Sequence, residues 1–392
     1  MYISRLEFAA EVVFWASLAG LIYSYAIYPF AIWLCAHLFG VKRIAPVQLA
    51  DDELPFVSVL IAAYNEDAVI ADRIANALQL DYPASKLEIV IASDGSTDQT
   101  NAIVARIPDP RVRLLDYPTR QGKAAVLNAA FRELRGAIVV LSDANTNMDS
   151  TAVRKLVRWF QMPQVGVVCG RLVLTDPVTG TNVDGLYWKY ETFLKNCESR
   201  LGALLGANGA IYAIRRDLYA GIRRNTLIDD FVIPLLTRLR TGCSIEYDAD
   251  ALAFEETPEG IDSEFKRRTR IGTGGFQSVP LLWTLLDPMR GWISFTYFSH
   301  KIARWVCPFL LIGTFASSAL LASRHPYDLL LAAQVGLYLI AGAGTRITSS
   351  GVASKCLRLT TLFAGMNLAL LVGFWRWVTT EPQGIWTRTA RP

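Results

Sequence analysis

The sequence predicts an α/β domain with a mostly parallel sheet, flanked by transmembrane helices towards both ends of the chain. Of the 392 residues, 52% are hydrophobic and 19% are charged, whereas soluble proteins carry about 45–50% and about 25%. The apolar excess lies in 8–39 and 295–378, and 42–292 has the composition of a soluble domain. Within this middle region, strand-like runs alternate with helical patterns. This organisation excludes a simple cytosolic enzyme, a disordered chain and a secreted disulfide scaffold.

Residues 1–42 are expected to contain one transmembrane helix. Residues 12–39 are nearly free of charge, and as a helix they would reach about 42 Å, which exceeds the roughly 30 Å of bilayer hydrocarbon. Lys42 and Arg43 follow directly, so the positive-inside rule places the next region in the cytoplasm. A cleaved signal peptide is not expected, because no basic segment precedes the apolar run and no A-x-A site follows it.

Residues 304–380 are expected to contain about three further transmembrane helices, followed by a tail at 381–392. Residues 281–303 are aromatic but interrupted by charges and proline, which favours helices lying on the bilayer surface. Four crossings around a cytoplasmic middle domain would place both termini outside, and the arginines of the tail would then be on the wrong side. A re-entrant or interfacial C-terminal segment is the alternative that stays open.

Residues 43–280 are expected to form the cytoplasmic α/β domain. An apolar run after Pro55 predicts the first strand. Later strands are predicted at Leu87–Ala92, Val112–Asp116 and Ala137–Ser142, and helices at 67–80, 98–106 and about 122–134. Parallel sheets bind ligands beyond the carboxyl ends of their strands, so polar residues at these ends are site candidates. Neither GxGxxG nor GxxxxGK[ST] occurs, which argues against dinucleotide or P-loop binding.

Polar residues follow three of the predicted strands. Tyr64 and Glu66 follow the first strand, where a planar base could lie over the backbone; a plain strand-to-helix turn is the alternative. Asp94 follows the second strand and could accept a hydrogen bond from a base or act as a helix cap. Asp143 and Asn145 follow the fourth strand and offer the hard oxygen ligands that Mg²⁺ or Mn²⁺ prefers. An Asx turn is the alternative for this last pair.

Three further segments combine glycine or charge with the end of a helix or strand. Lys123, near a helix start, could meet a diphosphate or be simply solvated. The glycines in 204–216 allow close approach of a ligand or form a tight turn. Asp230 stands where a general base would be useful, and Asp229 is the more natural helix cap. The cations within 266–270 could hold a diphosphate or form a basic patch on the membrane surface.

The ordered set of these segments resembles the inverting family 2 glycosyltransferases of GT-A fold. More closely, it is similar to their membrane-bound bacterial branch of exopolysaccharide glycosyltransferases, which lies near the hyaluronan, cellulose and poly-N-acetylglucosamine synthases. The resemblance covers about residues 54–300 and implies a Rossmann-like, mostly parallel sheet. It further implies metal-dependent transfer of a hexose, with Mg²⁺ or Mn²⁺, from a UDP-linked sugar to a polyprenyl-linked or saccharide acceptor. The implied location is the bacterial inner membrane.

The resemblance also implies roles for single residues. Donor or nucleotide binding falls on Ala62, Tyr64, Glu66, Asp94, Lys123, Arg267 and Arg270; metal binding on Asp143 and Asn145; the acceptor side on Gly206, Asn208 and Gly209; and catalysis on Asp230 with Asp229. Asn145 replaces the second acid of the family's DxD motif, so Asp143 is the firmer ligand. Ile271 replaces the tryptophan of the QxxRW motif, which argues against a processive, cellulose-like activity.

Two other functions stay open at this point. One is a processive synthase that extends a polysaccharide, and the other is a non-catalytic membrane protein that binds a nucleotide sugar or a lipid. A nucleic-acid partner is not expected, because a net charge of +4 is too small. A transporter is disfavoured, because the apolar segments at 305–322 and 327–344 carry no charged residue apart from Asp328 at one edge.

Overall fold

The computed structural model describes residues 5–175, 185–256, 261–344, 352–380 and 384. The tail expected at 381–392 therefore lies outside the described residues, apart from Gly384. The chain forms two compact units, each assembled from separate stretches of sequence. We call them the sheet unit, which contains Ile32–Pro258 and Gln277–Thr296, and the helical unit, which contains Met1–Ala31, Glu259–Phe276 and Tyr297–Glu381.

The elements alternate between strand and helix through the middle of the chain. The strands are β1 (Val57–Ala63), β2 (Leu87–Asp94), β3 (Val112–Tyr117), β4 (Ile138–Asp143), β5 (Asn147–Met148), β6 (Val165–Thr175), β7 (Tyr212–Arg215) and β8 (Ser244–Glu256). The α-helices are α1 (Arg5–Ile22), α2 (Tyr28–Leu38), α3 (Ile70–Leu78), α4 (Thr100–Ala105), α5 (Lys123–Ala130), α6 (Ala152–Val157), α7 (Leu186–Arg200), α8 (Asp229–Thr241), α9 (Ile261–Leu282), α10 (Trp292–Thr296), α11 (Ala303–Leu320), α12 (Tyr327–Gly344) and α13 (Val352–Thr379).

The eight strands form one sheet in the order β3-β2-β1-β4-β7-β6-β8-β5. The first four strands of this order are parallel, as predicted. Beyond them, β7 is antiparallel to both β4 and β6, whereas β6 and β8 are parallel and β5 is antiparallel to β8. The sheet is therefore mixed but mostly parallel, and the predicted fold class is confirmed.

The core of the sheet unit follows from the composition of its central strands. All seven residues of β1, VSVLIAA, are buried, as expected of a strand covered on both faces. Ile70, Ile74 and Ala77 lie on one side of α3 and pack in the same core cluster as Val57 and Val59. This spacing is that of an amphipathic helix lying on a sheet. The packing holds α3, and with it the loop that joins β1 to α3, against the sheet.

A buried carboxylate links the three parallel strands β1, β2 and β3. Glu88 of β2 accepts hydrogen bonds from Ser58 Oγ of β1 at 2.5 Å and from Arg113 Nη1 of β3 at 2.6 Å. Backbone N–H groups of Arg135 and Gly136 bond Glu88 and Ser58, respectively. Burial raises the pKa of Glu88, but the hydrogen bonds from Ser58, Arg135 and Arg113 outweigh burial and hold the pKa below its usual value.

Three helical segments of the described chain are long and apolar enough to cross a membrane. The N-terminal segment is Arg5–Leu38, and the two C-terminal segments are Trp292–Leu320 and Leu359–Thr379. A shorter apolar helix, Tyr327–Ala343, lies between the two C-terminal segments. In the helical unit, a Cβ at Gly313 of α11 would lie 2.6 Å from Ser17 Oγ of α1. Small residues at such a crossing let two helices approach closely, as is common in membranes.

The segment 281–303 contains the end of α9, two short 3₁₀ turns, α10 and a π-helical turn at Tyr297–Ile302 that leads into α11. Trp283 and Met289 of this segment are exposed. Its placement on the bilayer surface, like the predicted domain boundaries, stays a prediction.

Candidate active site

The carboxyl edge of the parallel strands brings three of the predicted site positions together. In register, Ala62 of β1 lies beside Ala92 of β2 on one side and beside Asp143 of β4 on the other. Asp94 ends β2 two residues after Ala92. The loops that follow these strands therefore start from one edge of the sheet, where ligands of open α/β sheets bind.

The loop after β1 is tied to the loop after β2 by hydrogen bonds. Asn65 takes a left-handed backbone conformation with φ of 53°, and its side-chain oxygen accepts from Thr97 N at 2.8 Å. The backbone N–H of Glu66 donates to Thr100 Oγ1 at 2.8 Å. Asp98 Oδ2 accepts from Asp67 N at 3.1 Å. Asp98 thus ties the loop after β2 to the loop after β1.

Tyr64 lies under the guanidinium group of Arg120. The Arg120 carbon Cζ is 3.7 Å from the centre of the tyrosine ring, the geometry of a cation–π contact. Tyr64 belongs to the predicted nucleotide pocket, so Arg120 is a further candidate for that pocket. Arg120 was not among the residues predicted from the sequence, although it stands only three residues before Lys123.

Asp94 is fully buried and holds the loop that precedes α5. Its two carboxylate oxygens accept from Gln121 N at 2.6 Å and from Gly122 N at 2.9 Å. Gly122 has a φ of 93°, which favours glycine at this turn. The contacts place Lys123 at the start of α5. Recognition of a base by Asp94 stays a prediction.

Lys123 connects two of the predicted acids. Its Nζ lies 2.8 Å from Asp143 Oδ1 and 3.3 Å from Asp229 Oδ2. Burial lowers the pKa of the Lys123 ammonium, but Asp143, Asp229 and Asp230 outweigh burial and raise the pKa above its usual value. The ammonium is therefore a fixed positive charge among carboxylates from two distant stretches of sequence.

The carboxylates of Asp143 and Asp230 both lie against Gly209. The Gly209 N–H donates to Asp230 Oδ2 at 3.1 Å. A Cβ at Gly209 would lie 3.1 Å from Asp143 Oδ2 and 3.6 Å from Asp230 Oδ2. The predicted metal ligand, the predicted base and the predicted acceptor-side glycine are thus neighbours.

The backbone before Gly209 is shaped around the start of α8. Gly206 has a φ of 81°, and a Cβ there would lie 3.1 Å from the Cα of Phe231. Ala207 N donates to the carbonyl oxygen of Asp230 at 2.9 Å. Asn208 accepts from Lys195 Nζ at 2.5 Å and donates to the Gly170 carbonyl oxygen at 3.1 Å. The backbone at Gly206 is that of a tight turn, and the approach of a ligand to these glycines stays a prediction.

Asp229 does not cap α8, contrary to the sequence-based expectation. The cap residue of α8 is Ile228, which makes no side-chain capping bond, and Asp229 is the first helical residue. The buried Asp229 side chain turns to Lys123 instead. The ion pair with the Lys123 ammonium offsets the cost of burying the Asp229 carboxylate. A capping hydrogen bond from one backbone N–H of α8 would offset less of this cost.

Asp143 and Asn145 provide a donor set of two oxygens at the end of β4. Among the described residues, no group of three or more His, Cys, Asp or Glu side chains could hold a metal. A carboxylate and an amide still fit Mg²⁺ or Mn²⁺ where substrate phosphates and water supply the remaining ligands. The Asp143 side chain is 37% exposed and accessible to such a ligand.

The predicted diphosphate-binding arginines lie on α9 in the helical unit. Arg267 Nε lies 2.8 Å from Glu264 Oε2, and Arg268 Nε lies 2.7 Å from Glu264 Oε1. Arg270 lies on the same helix. Donor binding by Arg267 and Arg270 stays a prediction.

One fully buried arginine behind the site was also missed. Arg73 of α3 is 1% exposed, and its Nε donates to the carbonyl oxygen of Asp143 at 3.4 Å. Burial lowers the pKa of Arg73 to about 10, against the opposing effect of Asp143. A charged residue on an otherwise apolar helix face, between Ile70 and Ala77, was the signal available in the sequence.

Comparison with known proteins assigns the family of this domain. The family model for glycosyl transferase family 2 matches residues 58–220, which span β1 to β7 and contain the carboxyl edge described above. The chain contains a family 2 glycosyltransferase domain. The predicted family is thereby confirmed.

The curated relatives that the chain matches are synthases of two kinds. A poly-β-1,6-N-acetyl-D-glucosamine synthase of Staphylococcus aureus is 27% identical over 58% of this chain and 56% of its own length. A β-monoglucosyldiacylglycerol synthase of Nostoc is 28% identical over 59% of this chain and 52% of its own length. The alignments thus span about half the length of these relatives.

A solved structure shows the same fold. The mannosyltransferase PcManGT of Pyrobaculum calidifontis, in complex with GDP-Man and Mn²⁺, matches with a TM-score of 0.71 at 22% identity. The match covers 95% of this chain and 99% of that one. The expected Rossmann-like GT-A fold is confirmed.

Proposed function

We propose that this chain transfers a hexose from a UDP-linked sugar to a lipid-linked acceptor, with inversion at the anomeric carbon. The observation that carries the proposal is the approach of two carboxylates to Gly209. A Cβ at Gly209 would lie 3.1 Å from Asp143 Oδ2 and 3.6 Å from Asp230 Oδ2, and Lys123 donates to the other oxygen of Asp143. The Asp230 carboxylate, which can accept a proton, thus lies near the Asp143 carboxylate, which can take part in holding the donor diphosphate.

In the proposed reaction, Asp230 accepts the proton of the acceptor hydroxyl as that oxygen attacks the anomeric carbon. The bond from this carbon to the nucleoside diphosphate breaks, and the diphosphate leaves with the electron pair. A single attack from the face opposite the leaving group inverts the configuration. Asp143 and Asn145 would hold a divalent cation, which offsets negative charge on the leaving group when bound. Lys123 supplies a fixed positive charge next to Asp143.

The proposed acceptor and location have separate support. The candidate membrane spans would place the chain in a bilayer, and we propose the bacterial inner membrane with the sheet unit in the cytoplasm. One curated relative is named for a glycolipid product, and another for a polysaccharide. Ile271 in place of the family's tryptophan favours a single transfer to lipid over polymer extension.

The test uses the purified chain in detergent with a panel of nucleotide sugars and Mn²⁺ or Mg²⁺. Release of nucleoside diphosphate is measured with and without membrane lipid extract, and the products are separated by size. We expect release that requires lipid, stops after one sugar and falls by about 10³-fold in Asp230→Asn. Nucleotide binding, measured by calorimetry, should persist in this variant, because Asp230 is assigned to the acceptor side.

Two results would replace the proposal. A ladder of long products would identify a processive polysaccharide synthase. The chain would be a non-catalytic binding protein if it bound a nucleotide sugar saturably but released no nucleoside diphosphate from any tested donor with lipid present.

A further inference from the structure

Arg73 and Asn76 stand three residues apart on α3 and face the segment that follows β4. Residues at this spacing lie on the same side of a helix. Arg73 Nη1 donates to Asn76 Oδ1 at 3.1 Å, so the two side chains form one unit. Neither residue has a role in the reaction proposed above.

Asn76 holds both backbone groups of a single residue. Its Nδ2 donates to the carbonyl oxygen of Met148 at 2.9 Å, and its Oδ1 accepts from Met148 N at 2.9 Å. Met148 belongs to β5, which contains only two residues. Its pairing with β8 rests on two residue pairs, Asn147 with Phe254 and Met148 with Ala253. So short a strand gains little from the sheet, and the Asn76 side chain supplies a second attachment.

Arg73 reaches the other end of the same segment. Its Nε donates to the carbonyl oxygen of Asp143. The carboxylate of the same residue accepts from Lys123 of α5. Arg73 Nη2 is buried and has no hydrogen-bond partner among the described residues. Burying a guanidinium with one nitrogen unsatisfied costs free energy, whereas an aliphatic side chain would fill this helix face without that cost. Stability alone therefore does not explain an arginine here.

We propose that Arg73 and Asn76 are positioning residues, which fix segment 143–148 at both ends and thereby set the orientation of Asp143 and Asn145. This inference rests on the proposed function for the role of Asp143. Catalytic groups must be held within about 0.5 Å of their working positions, and misplacement by about 1 Å can cost about 10²-fold in rate. Between Asp143 and Met148 the chain makes a turn closed by Thr146 N on the Asp143 carbonyl oxygen at 3.3 Å, and Thr146 Oγ1 donates to Glu255 Oε1 at 2.7 Å. These bonds hold the middle of the segment, and the contacts of Arg73 and Asn76 hold its two ends.

The test variants are Asn76→Ala, Asn76→Asp and Arg73→Lys, in the full chain. The chain offers a matched control in Asn128 of α5, which holds Ile222 in the same manner. Its Nδ2 donates to the Ile222 carbonyl oxygen at 2.8 Å, and its Oδ1 accepts from Ile222 N at 3.0 Å. Asn128→Ala thus removes the same pair of bonds from a different segment.

The first readout is hydrogen–deuterium exchange, which needs neither donor nor acceptor. We expect Asn76→Ala to speed exchange at least 10-fold in peptides covering 143–148, while peptides of β4 and of 219–222 stay as in the wild type. Asn128→Ala should do the reverse and speed exchange at 219–222 only. Asn76→Asp retains the acceptor for Met148 N and should restore part of the protection.

The second readout is the kinetics of transfer. We expect Asn76→Ala and Arg73→Lys to lower kcat by about 10- to 100-fold and to leave the acceptor KM within twofold. If the two residues only stabilised the fold, the variants would contain less active protein but would keep the wild-type kcat per active site. Titration of the active sites with nucleotide therefore separates the two cases.

Two outcomes would overturn the inference. One is that the hydrogen–deuterium exchange rate at 143–148 in Asn76→Ala is the same as in the wild type, or rises no more than the rate in the rest of the sheet. The other is local loss of protection in Asn76→Ala with kcat within twofold of the wild type. If the wild type transfers no sugar, the proposed function fails, and the exchange experiment still decides whether the two residues fix the segment.

Discussion

Lys123 places one positive charge between two carboxylates at the carboxyl edge. It contacts Asp143 and Asp229, which come from β4 and α8. Removing one partner from a buried ion pair leaves the others uncompensated. We therefore expect Lys123→Met to lower the free energy of unfolding of the sheet unit by about 2 kcal/mol, or roughly 4–8 °C in Tm.

The pH dependence of this loss follows from the direction of the Lys123 pKa. Because the folded state raises that pKa, the stabilisation is complete below the ordinary value of about 10.4 and is lost only as pH rises through the folded value. The Tm difference between Lys123→Met and the wild type should thus be equal at pH 6 and pH 9. Lys86→Met, at a partly exposed lysine bonded to backbone carbonyls, is the control and should change Tm by less than about 2 °C. A difference that vanishes by pH 9 would contradict the assignment.

Gly209 allows a second prediction at this scale. The residue is not among the glycines with positive φ, so alanine is compatible with the backbone. The added methyl group would lie 3.1 Å from Asp143 Oδ2 and 3.6 Å from Asp230 Oδ2 and would push these carboxylates apart. We expect Gly209→Ala to lower kcat/KM by at least 10²-fold and Tm by less than about 3 °C. Gly185→Ala is the control, because no atom of the described residues lies within 4 Å of its Cβ. Wild-type transfer by Gly209→Ala would show that the reaction does not depend on the approach of these two carboxylates to Gly209.

At the scale of elements, the contacts of Glu88 join β1, β2 and β3 at the end of the sheet remote from the site. The folded state lowers the Glu88 pKa, so its stabilisation is present above the unfolded value of about 4.3 and is lost as pH falls through the folded value. We expect Glu88→Gln to be less stable than the wild type by about 2 kcal/mol at pH 7. The two Tm values should approach each other at pH 3.

Thermal unfolding followed by tryptophan fluorescence from pH 7 to pH 3 tests this prediction. Glu53→Gln serves as the control, since Glu53 is exposed and accepts only from Ala50 N nearby. A constant Tm difference between Glu88→Gln and the wild type over this range would show that Glu88 is not the group responsible.

The sequence predicts the parallel half of the sheet better than the antiparallel half. Strands β1 to β4 are short apolar runs bounded by turn residues, so local composition determines both their type and their limits to within a few residues. The pairing of β7 with β4 and β6 depends on segments more than 40 residues apart, and no local pattern encodes it.

The same distinction applies to the candidate site. Residues that end a strand, such as Asp94 and Asp143, could be placed at one edge because parallel strands align their carboxyl ends. The bond from Asp94 to the Gly122 loop and the pairing of Lys123 with Asp229 join segments 28 and 106 residues apart. These contacts depend on tertiary packing, which explains why Asp229 was expected to cap α8 instead.

At the scale of the whole molecule, the segment Trp292–Leu320 decides how the chain meets the membrane. It contains 29 residues, so as a helix it would extend about 43 Å and exceeds the bilayer hydrocarbon. If it crosses the membrane, residues before and after it lie on opposite sides. Met289 is exposed before this segment, and Ser323 is exposed between α11 and α12.

Single cysteines at these two positions test the crossing and the proposed cytoplasmic side together. We expect Met289→Cys to react with a membrane-impermeant maleimide in inverted vesicles but not in spheroplasts, and Ser323→Cys to react in the opposite way. Cys35, the partly exposed native thiol among the described cysteines, is replaced by serine, and so is Cys356. Labelling of both positions from the same side would mean that this segment re-enters without crossing. The chain would then have one crossing fewer, which removes the conflict between four spans and the positive-inside rule. Labelling of Met289→Cys from outside would contradict a cytoplasmic sheet unit, because a nucleotide-sugar donor is made in the cytoplasm and could not reach the site.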